Sequence, residues 1–268
     1  RTHQYHQSTV NDVSWEYLCC GRGSRALLFL PGAFLKGEMW FNQMLALEDA
    51  YRIIAPDAYA LQGVFDLDIV CDALVQSLDD EAVNRATVIG LSAGGGLAQM
   101  LLQRHPDRVE NVVFSHCGVL EHSAENERRT RGMLWLVKLL PMPTVRSILK
   151  NMTTGNTPST SDWTAFHDAY MKEAIQVIER AMVIGFLRSS LETRRRFAFA
   201  PQELTSWPGS ILILASRDDA LAQPAHRRLQ GRYPRAKTEL LKEGGHHAFL
   251  FFPEAYTDAL RRFLDATS

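Results

Sequence analysis

The chain has 268 residues, 46% of them hydrophobic, enough for one large core with an insertion or for two small domains. Its 29 basic and 30 acidic side chains leave a net charge of −1, so nothing global points to nucleic acid or to a membrane surface. The longest apolar stretches, such as 134–137, fall far short of a membrane span.

No basic-then-apolar secretory segment opens the chain, although its first residue is Arg1 and a trimmed leader stays open. Residues 10–20 alternate like an edge hairpin leading into a sheet. Residues 27–30, 52–55, 86–91, 109–115 and 211–215 are short apolar runs flanked by Gly, Pro or Asp, the pattern of strands buried on both faces. Amphipathic stretches around 38–47, 67–78 and 97–104 lie between them. This alternation predicts an α/β fold, a mostly parallel central sheet with helices on both faces. The regular alternation stops after Cys117, and from about 119 to 204 the pattern is helical, broken at Pro141, Pro143, Gly155 and Pro158. We read 119–204 as a helical lid, or cap, inserted into one core made of residues 1–118 and 205–268.

The insertion carries twelve Lys/Arg against nine Asp/Glu. It also holds Met133, Met142, Met152, Met171 and Met182, with Trp135, Trp163, Phe166, Tyr170 and Phe186. These side chains read either as the insertion's own core or as the soft lining of a substrate cavity. The run Arg194-Arg195-Arg196 reads as a solvated face, with anion binding as the lesser alternative. The four cysteines, Cys19, Cys20, Cys71 and Cys117, have no metal-like spacing and read as reduced core thiols of a cytoplasmic protein.

The chemistry starts at Gly90-Leu91-Ser92-Ala93-Gly94, directly behind the apolar run 86–89. G-x-S-x-G arises by chance in roughly one chain in ten of this length, so its context decides. Here the context is strand, sharp turn and helix, which presents a serine hydroxyl clear of its neighbours. Such a serine needs a base, and the base needs an acid to hold its tautomer. In this architecture the three arrive as Ser, acid, His, each just past the C-terminal end of a strand. Asp218 and Asp219 follow 211–214, and His246 and His247 follow the strand-like run 238–241. Either aspartate also fits a helix N-cap or a turn. His116, just past Ser115, is placed to approach the same cleft, and a structural role suits it better. For the oxyanion of a tetrahedral intermediate, the backbone N–H donors would be Ala93, after the serine, and Ala33, in the turn Pro31-Gly32-Ala33-Phe34.

Over essentially its whole length the chain resembles the α/β-hydrolase superfamily. Leu-Pro-Gly-Ala at 30–33 sits where that family usually has His-Gly, and Gly-Leu-Ser-Ala-Gly matches its nucleophile elbow. Ser-Arg-Asp-Asp-Ala-Leu at 216–221 matches the acid turn and, by the family's spacing, selects Asp219. Gly245-His246 with Pro253 seven residues on matches the histidine turn and selects His246. A looser similarity is to maspardin-like proteins, through the lid's Leu-Pro-Met-Pro and through Tyr-Pro-Arg-Ala before the last strand. Two departures bear on the substrate class: the usual Gly-His-Gly is replaced by Asp57-Ala58-Tyr59-Ala60-Leu61, and the oxyanion-turn His by Pro31. The expected activity is hydrolysis of a carboxylic ester with an apolar acyl portion by Ser92, His246 and Asp219. Thioester, lactone or C–C bond cleavage on the same triad is the alternative, as is a non-catalytic maspardin-like binding protein. No cofactor and no metal is called for, the partner is a small acyl substrate, and a protein partner is not indicated.

Overall fold

The computed structural model describes residues 3–154, 161–196, 204, 206–220 and 223–267. Gly155, Pro158 and Leu221, singled out in the sequence, lie outside them, as does the side chain of Met152. In chain order the elements are β1 (Gln4–Val10), β2 (Val13–Cys20), β3 (Arg25–Leu30), α1 (Phe41–Leu47), β4 (Tyr51–Pro56), α2 (Leu67–Asp80), β5 (Ala86–Leu91), α3 (Ala93–Arg104) and β6 (Val109–Ser115). Four helices follow, α4 (Ala124–Leu139), α5 (Met142–Thr154), α6 (Thr164–Gln176) and α7 (Arg180–Arg196). The chain then returns through β7 (Ile211–Ser216), α8 (Gln223–Arg232), β8 (Lys237–Leu241), α9 (Ala248–Phe251) and α10 (Pro253–Asp265).

The sheet order is β1-β2-β4-β3-β5-β6-β7-β8. Strands β3 to β8 run parallel, and the hairpin β1–β2 is added antiparallel on the β4 edge. Successive side chains of the parallel strands feed two separate cores. Leu27, Phe29, Ile53 and Ile89 pack on one face with Met44 of α1 and Tyr256 and Leu260 of α10. Leu28, Leu30, Ile54 and Val88 pack on the other with Leu74 of α2, Leu101 of α3 and Leu229 of α8. A strand with an apolar layer on each side must be apolar at most positions, which is why these segments read as nearly unbroken runs.

Two sequence expectations need correction. The hairpin spans residues 4–20 rather than 10–20, because β1 is an edge strand whose one buried residue is Ser8. Pro143 does not break a helix. It sits in the first turn of α5, where the missing N–H would have no intrahelical partner anyway.

In the helices between β6 and β7 the insertion's apolar residues divide between two environments. Val137, Met171, Ile175 and Val183 are buried and continuous with the core beneath, and Met142, Met182, Trp163 and Tyr170 pack against it. Met133 and Phe186 instead face a cavity.

Candidate active site

Ser92 stands between β5 and α3 with φ 53° and ψ −111°. Strained backbone of this kind costs a non-glycine residue roughly 1–3 kcal/mol and persists only where the surroundings dictate it. Here they do. The Ser92 amide donates to the Ser115 carbonyl at 2.9 Å, while its own carbonyl accepts from the Gly95 and Gly96 amides at 3.0 and 3.3 Å. Two glycines are needed for close approach: a Cβ at Gly90 would stand 2.4 Å from the Gly94 carbonyl oxygen, and one at Gly94 would stand 2.3 Å from that of Leu30. These contacts lay the start of α3 against the turn after β3. A Cβ built on Gly32 in that turn would lie 3.8 Å from Ser92 Cβ.

The two amides expected to bind an oxyanion are both at this junction. Ala93 opens α3, where N–H groups have no carbonyl one turn back. The Ala33 amide donates to no backbone carbonyl among the described residues. Ala33, Ser92, Ala93 and His246 together line one cavity of about 510 Å³.

Asp219 and His246 are brought together, with His246 Nδ1 2.9 Å from Asp219 Oδ2. The carboxylate is 1% exposed. A ring that donates through Nδ1 keeps its lone pair on Nε2. No hydrogen bond joins Ser92 Oγ to His246 Nε2; the two share the cavity wall. Such contacts are often long without substrate and tighten in the complex. Asp218 points elsewhere and accepts from the Gly244 and Gly245 amides at 3.1 and 2.9 Å, holding the turn that carries His246.

Three more histidines lie around this pair, and all are buried. His247 turns away from the cavity, its Nδ1 2.9 Å from Nε2 of His167 on α6. Burial, with His246, His167 and His116 nearby, keeps the His247 pKa well below its usual value. Burial lowers that of His167 too, against an opposing pull from Asp168. His116, at φ 46°, bonds through Nδ1 to Ser115 Oγ at 2.9 Å and through Nε2 to Ser216 Oγ at 2.8 Å. Tyr256 donates to the same Ser115 hydroxyl at 2.8 Å. Burial foremost, then the His246 charge, lower the His116 pKa to about 3, with Asp219 opposing. His116 is therefore a neutral ring with both nitrogens engaged, its edge set 6.2 Å from His246 between centroids.

Sequence reasoning missed His167, Ser216 and Tyr256, whose partners are distant in the chain. It also favoured a solvated face for the run 194–196 over anion binding, whereas Arg194 is half-buried and lines the cavity. The departures at 57–61 have structural uses. Asp57 accepts from the Gly37 amide at 2.8 Å, and Tyr59 lines the cavity with its hydroxyl 3.1 Å from Ser189 Oγ of α7. Among the described residues, one group of metal-ligand type lies elsewhere, where His3, Cys20 and Glu48 hold ligand atoms within 4.8 Å of one another. His3 Nε2 already bonds Glu48 Oε2 there at 2.8 Å, which accounts for the cluster as a hydrogen-bonded pair.

The sequence model of the alpha/beta hydrolase family matches residues 27–259. The chain belongs to that family. The candidate carbamate hydrolase RutD of Caulobacter sp. (strain K31) is 25% identical over 271 residues, covering 98% of this chain and 94% of that protein. Human (Homo sapiens) maspardin is 27% identical over 233 residues, covering 84% and 70%. Among solved structures, a thermophilic esterase from Thermogutta terrifontis superposes with a TM-score of 0.77 over 98% of this chain and 99% of that one. At 20% identity that likeness concerns the fold. No helix among the described residues is long and apolar enough to cross a membrane.

Proposed function

We propose that this family member is a serine hydrolase cleaving a carboxylic ester with an apolar acyl portion. The observation that carries the reading is the 2.9 Å contact between His246 Nδ1 and the buried Asp219 carboxylate, on the wall of the cavity that exposes the strained Ser92. In the proposed reaction Ser92 Oγ bonds to the substrate carbonyl carbon as its proton passes to His246 Nε2. Asp219 stabilises the imidazolium that forms, and the Ala33 and Ala93 amides receive the oxyanion. The imidazolium then protonates the departing alcohol, leaving an acyl-serine. Water, deprotonated by the same histidine, releases the acid and restores Ser92. Residues 119–204 serve as the lid, with Met133 and Phe186 supplying apolar wall. The four cysteines, buried and free of disulfides, suit a reducing, cytoplasmic setting.

The similarity to a protein named for carbamate hydrolysis supports a second reading, an acyl–nitrogen bond cut by the same residues. A fluorophosphonate should label the protein, and p-nitrophenyl acetate and butyrate should be turned over. Both properties should vanish in Ser92→Ala. Absence of labelling and of turnover in the unmodified protein would return the chain to a binding role on a hydrolase fold.

A further inference from the structure

The cationic surplus of the helical insertion is not spread evenly. Most of its arginines have partners inside the fold. Arg180 donates to the carbonyls of Val137 and Leu140 at the end of α4, and Arg146 to that of Ile178. Arg131 and Arg195 pair with Glu127, and Arg196 pairs with Asp68 and Glu192. Arg194 belongs to the same run and behaves differently. Successive helix residues point about 100° apart, so one run of three need not share an environment. Arg194 is half-buried on the wall of the cavity that holds Ser92 and His246. No carboxylate among the described residues makes an ion pair with it.

The charges nearby leave that site open to an anion. Glu121, the acid whose field reaches Arg194, is already paired with Arg228 at 2.9 Å. The cavity wall presents three guanidinium groups, Arg129, Arg194 and Arg228, against the single carboxylate of Glu121. Burial lowers the Arg194 pKa, Glu121 opposes that, and Arg228 adds to it, yet a guanidinium keeps its charge at neutral pH. A partly desolvated cation without a counter-ion is costly, and a bound carboxylate relieves it through two parallel N–H···O bonds. Met100, Met133 and Phe186 on the same wall are apolar and suit the segment of a ligand between its two ends.

We infer that the substrate carries a carboxylate, separated from its scissile carbonyl group by an apolar segment, and that Arg194 receives this carboxylate. The inference rests on the hydrolase reading of the same cavity and narrows its substrate class to esters that carry a carboxylate, on the acyl or the leaving-group side. Arg194 is then a specificity residue that touches the substrate away from the reacting bond. The Glu121–Arg228 pair tunes the local charge.

Two ester pairs test this, compared by kcat/KM at low salt. One pair is p-nitrophenyl butyrate against mono-p-nitrophenyl glutarate, with the anion on the acyl side. The other is phenyl acetate against 3-carboxyphenyl acetate, with the anion on the leaving group. In at least one pair the anionic ester should be favoured tenfold or more. Arg194→Met should cut that ratio at least tenfold, Arg194→Lys should keep part of it, and Glu121→Gln should raise it. A ratio near one in both pairs, or one untouched by Arg194→Met, overturns the inference, as does a preference for acyl-CoA thioesters over every carboxylate ester. Failure of the hydrolase reading looks different, since fluorophosphonate would then leave Ser92 unlabelled. In that event calorimetry with glutarate decides: binding weakened tenfold in Arg194→Met supports the anion site, and no binding to the unmodified protein overturns it.

Discussion

At the scale of single residues, neighbours of one type have separate tasks. Asp219 meets the His246 ring, while Asp218 accepts from two amides of the turn that carries it. Replacing each by Asn should separate them. Asp219→Asn presents the ring with a donor where an acceptor is required and should lower kcat by about three to four orders of magnitude. Asp218→Asn keeps one acceptor oxygen for two amides, so its kcat should fall by less than about tenfold and its melting temperature should drop as well. Equal kcat losses, measured on one p-nitrophenyl ester, would show that Asp218 takes part in orienting the ring. The residues Ser92, Asp219 and His246 were legible because each sits in a short local pattern behind a strand. His116 was legible only as a position. Ser115 is its neighbour in the chain, but Ser216 meets it across the sheet and Tyr256 of α10 reaches it through the Ser115 hydroxyl, and no spacing in the chain announces those two.

At the scale of elements, the His167–His247 contact fastens helix α6 to the turn that carries His246. Two neutral rings share one proton at that contact, and His167 is wholly buried against Phe251, with ring centroids 4.6 Å apart. His167→Leu would leave His247 Nδ1 without its partner, an unsatisfied buried group that costs about 1–3 kcal/mol. Hydrogen exchange should accelerate in Thr164–Gln176 and in the turn at 244–251, while the parallel strands keep their protection. Exchange unchanged in those segments would mean that apolar packing alone holds α6. Strands β5 and β6 were readable to their ends because a doubly covered strand is mostly apolar, with Thr87, Glu110, Asn111 and Ser115 as the polar exceptions here. Strand β1 was missed because Gln4–Val10 is mostly exposed and polar, and neither pairing to β2 nor edge position requires an apolar face. Helix α10 left no mark on the argument either, although Tyr256, Leu260 and Leu264 fill the core.

At the scale of the whole molecule, buried ionisable groups set the acid limit of the fold. His116, His167 and His247 are held neutral below their ordinary pKa, so the unfolded chain binds more protons than the folded one as pH falls below about 6.5. Their contribution is complete above that pH and is lost on acidification, at up to about 1.4 kcal/mol per group and pH unit. Glu81 adds a second limb. Burial raises its pKa, but hydrogen bonds from Arg52, Cys19, His6 and Tyr17 outweigh that and lower it to about 2. The stability it supplies is full above about 4.5 and disappears toward pH 2. Urea unfolding should therefore show stability falling from pH 7 to 5 and further below 4.5, and Glu81→Gln should make the fall below 4.5 shallower without changing the fall from pH 7 to 5. A flat profile between pH 7 and 5 would mean that the three rings are charged in the folded protein. The strand order has a consequence for biosynthesis as well. Ser92 follows β5 in mid-sheet, whereas Asp219 and the turn bearing His246 follow β7 and β8, which complete the far edge. A ribosome delivers those strands last, so on the proposed mechanism a nascent chain presents its serine long before its base exists, and should stay inert toward acyl groups while it is made. During refolding, the return of Ser92 labelling then marks the docking of the final strands and not the earlier collapse.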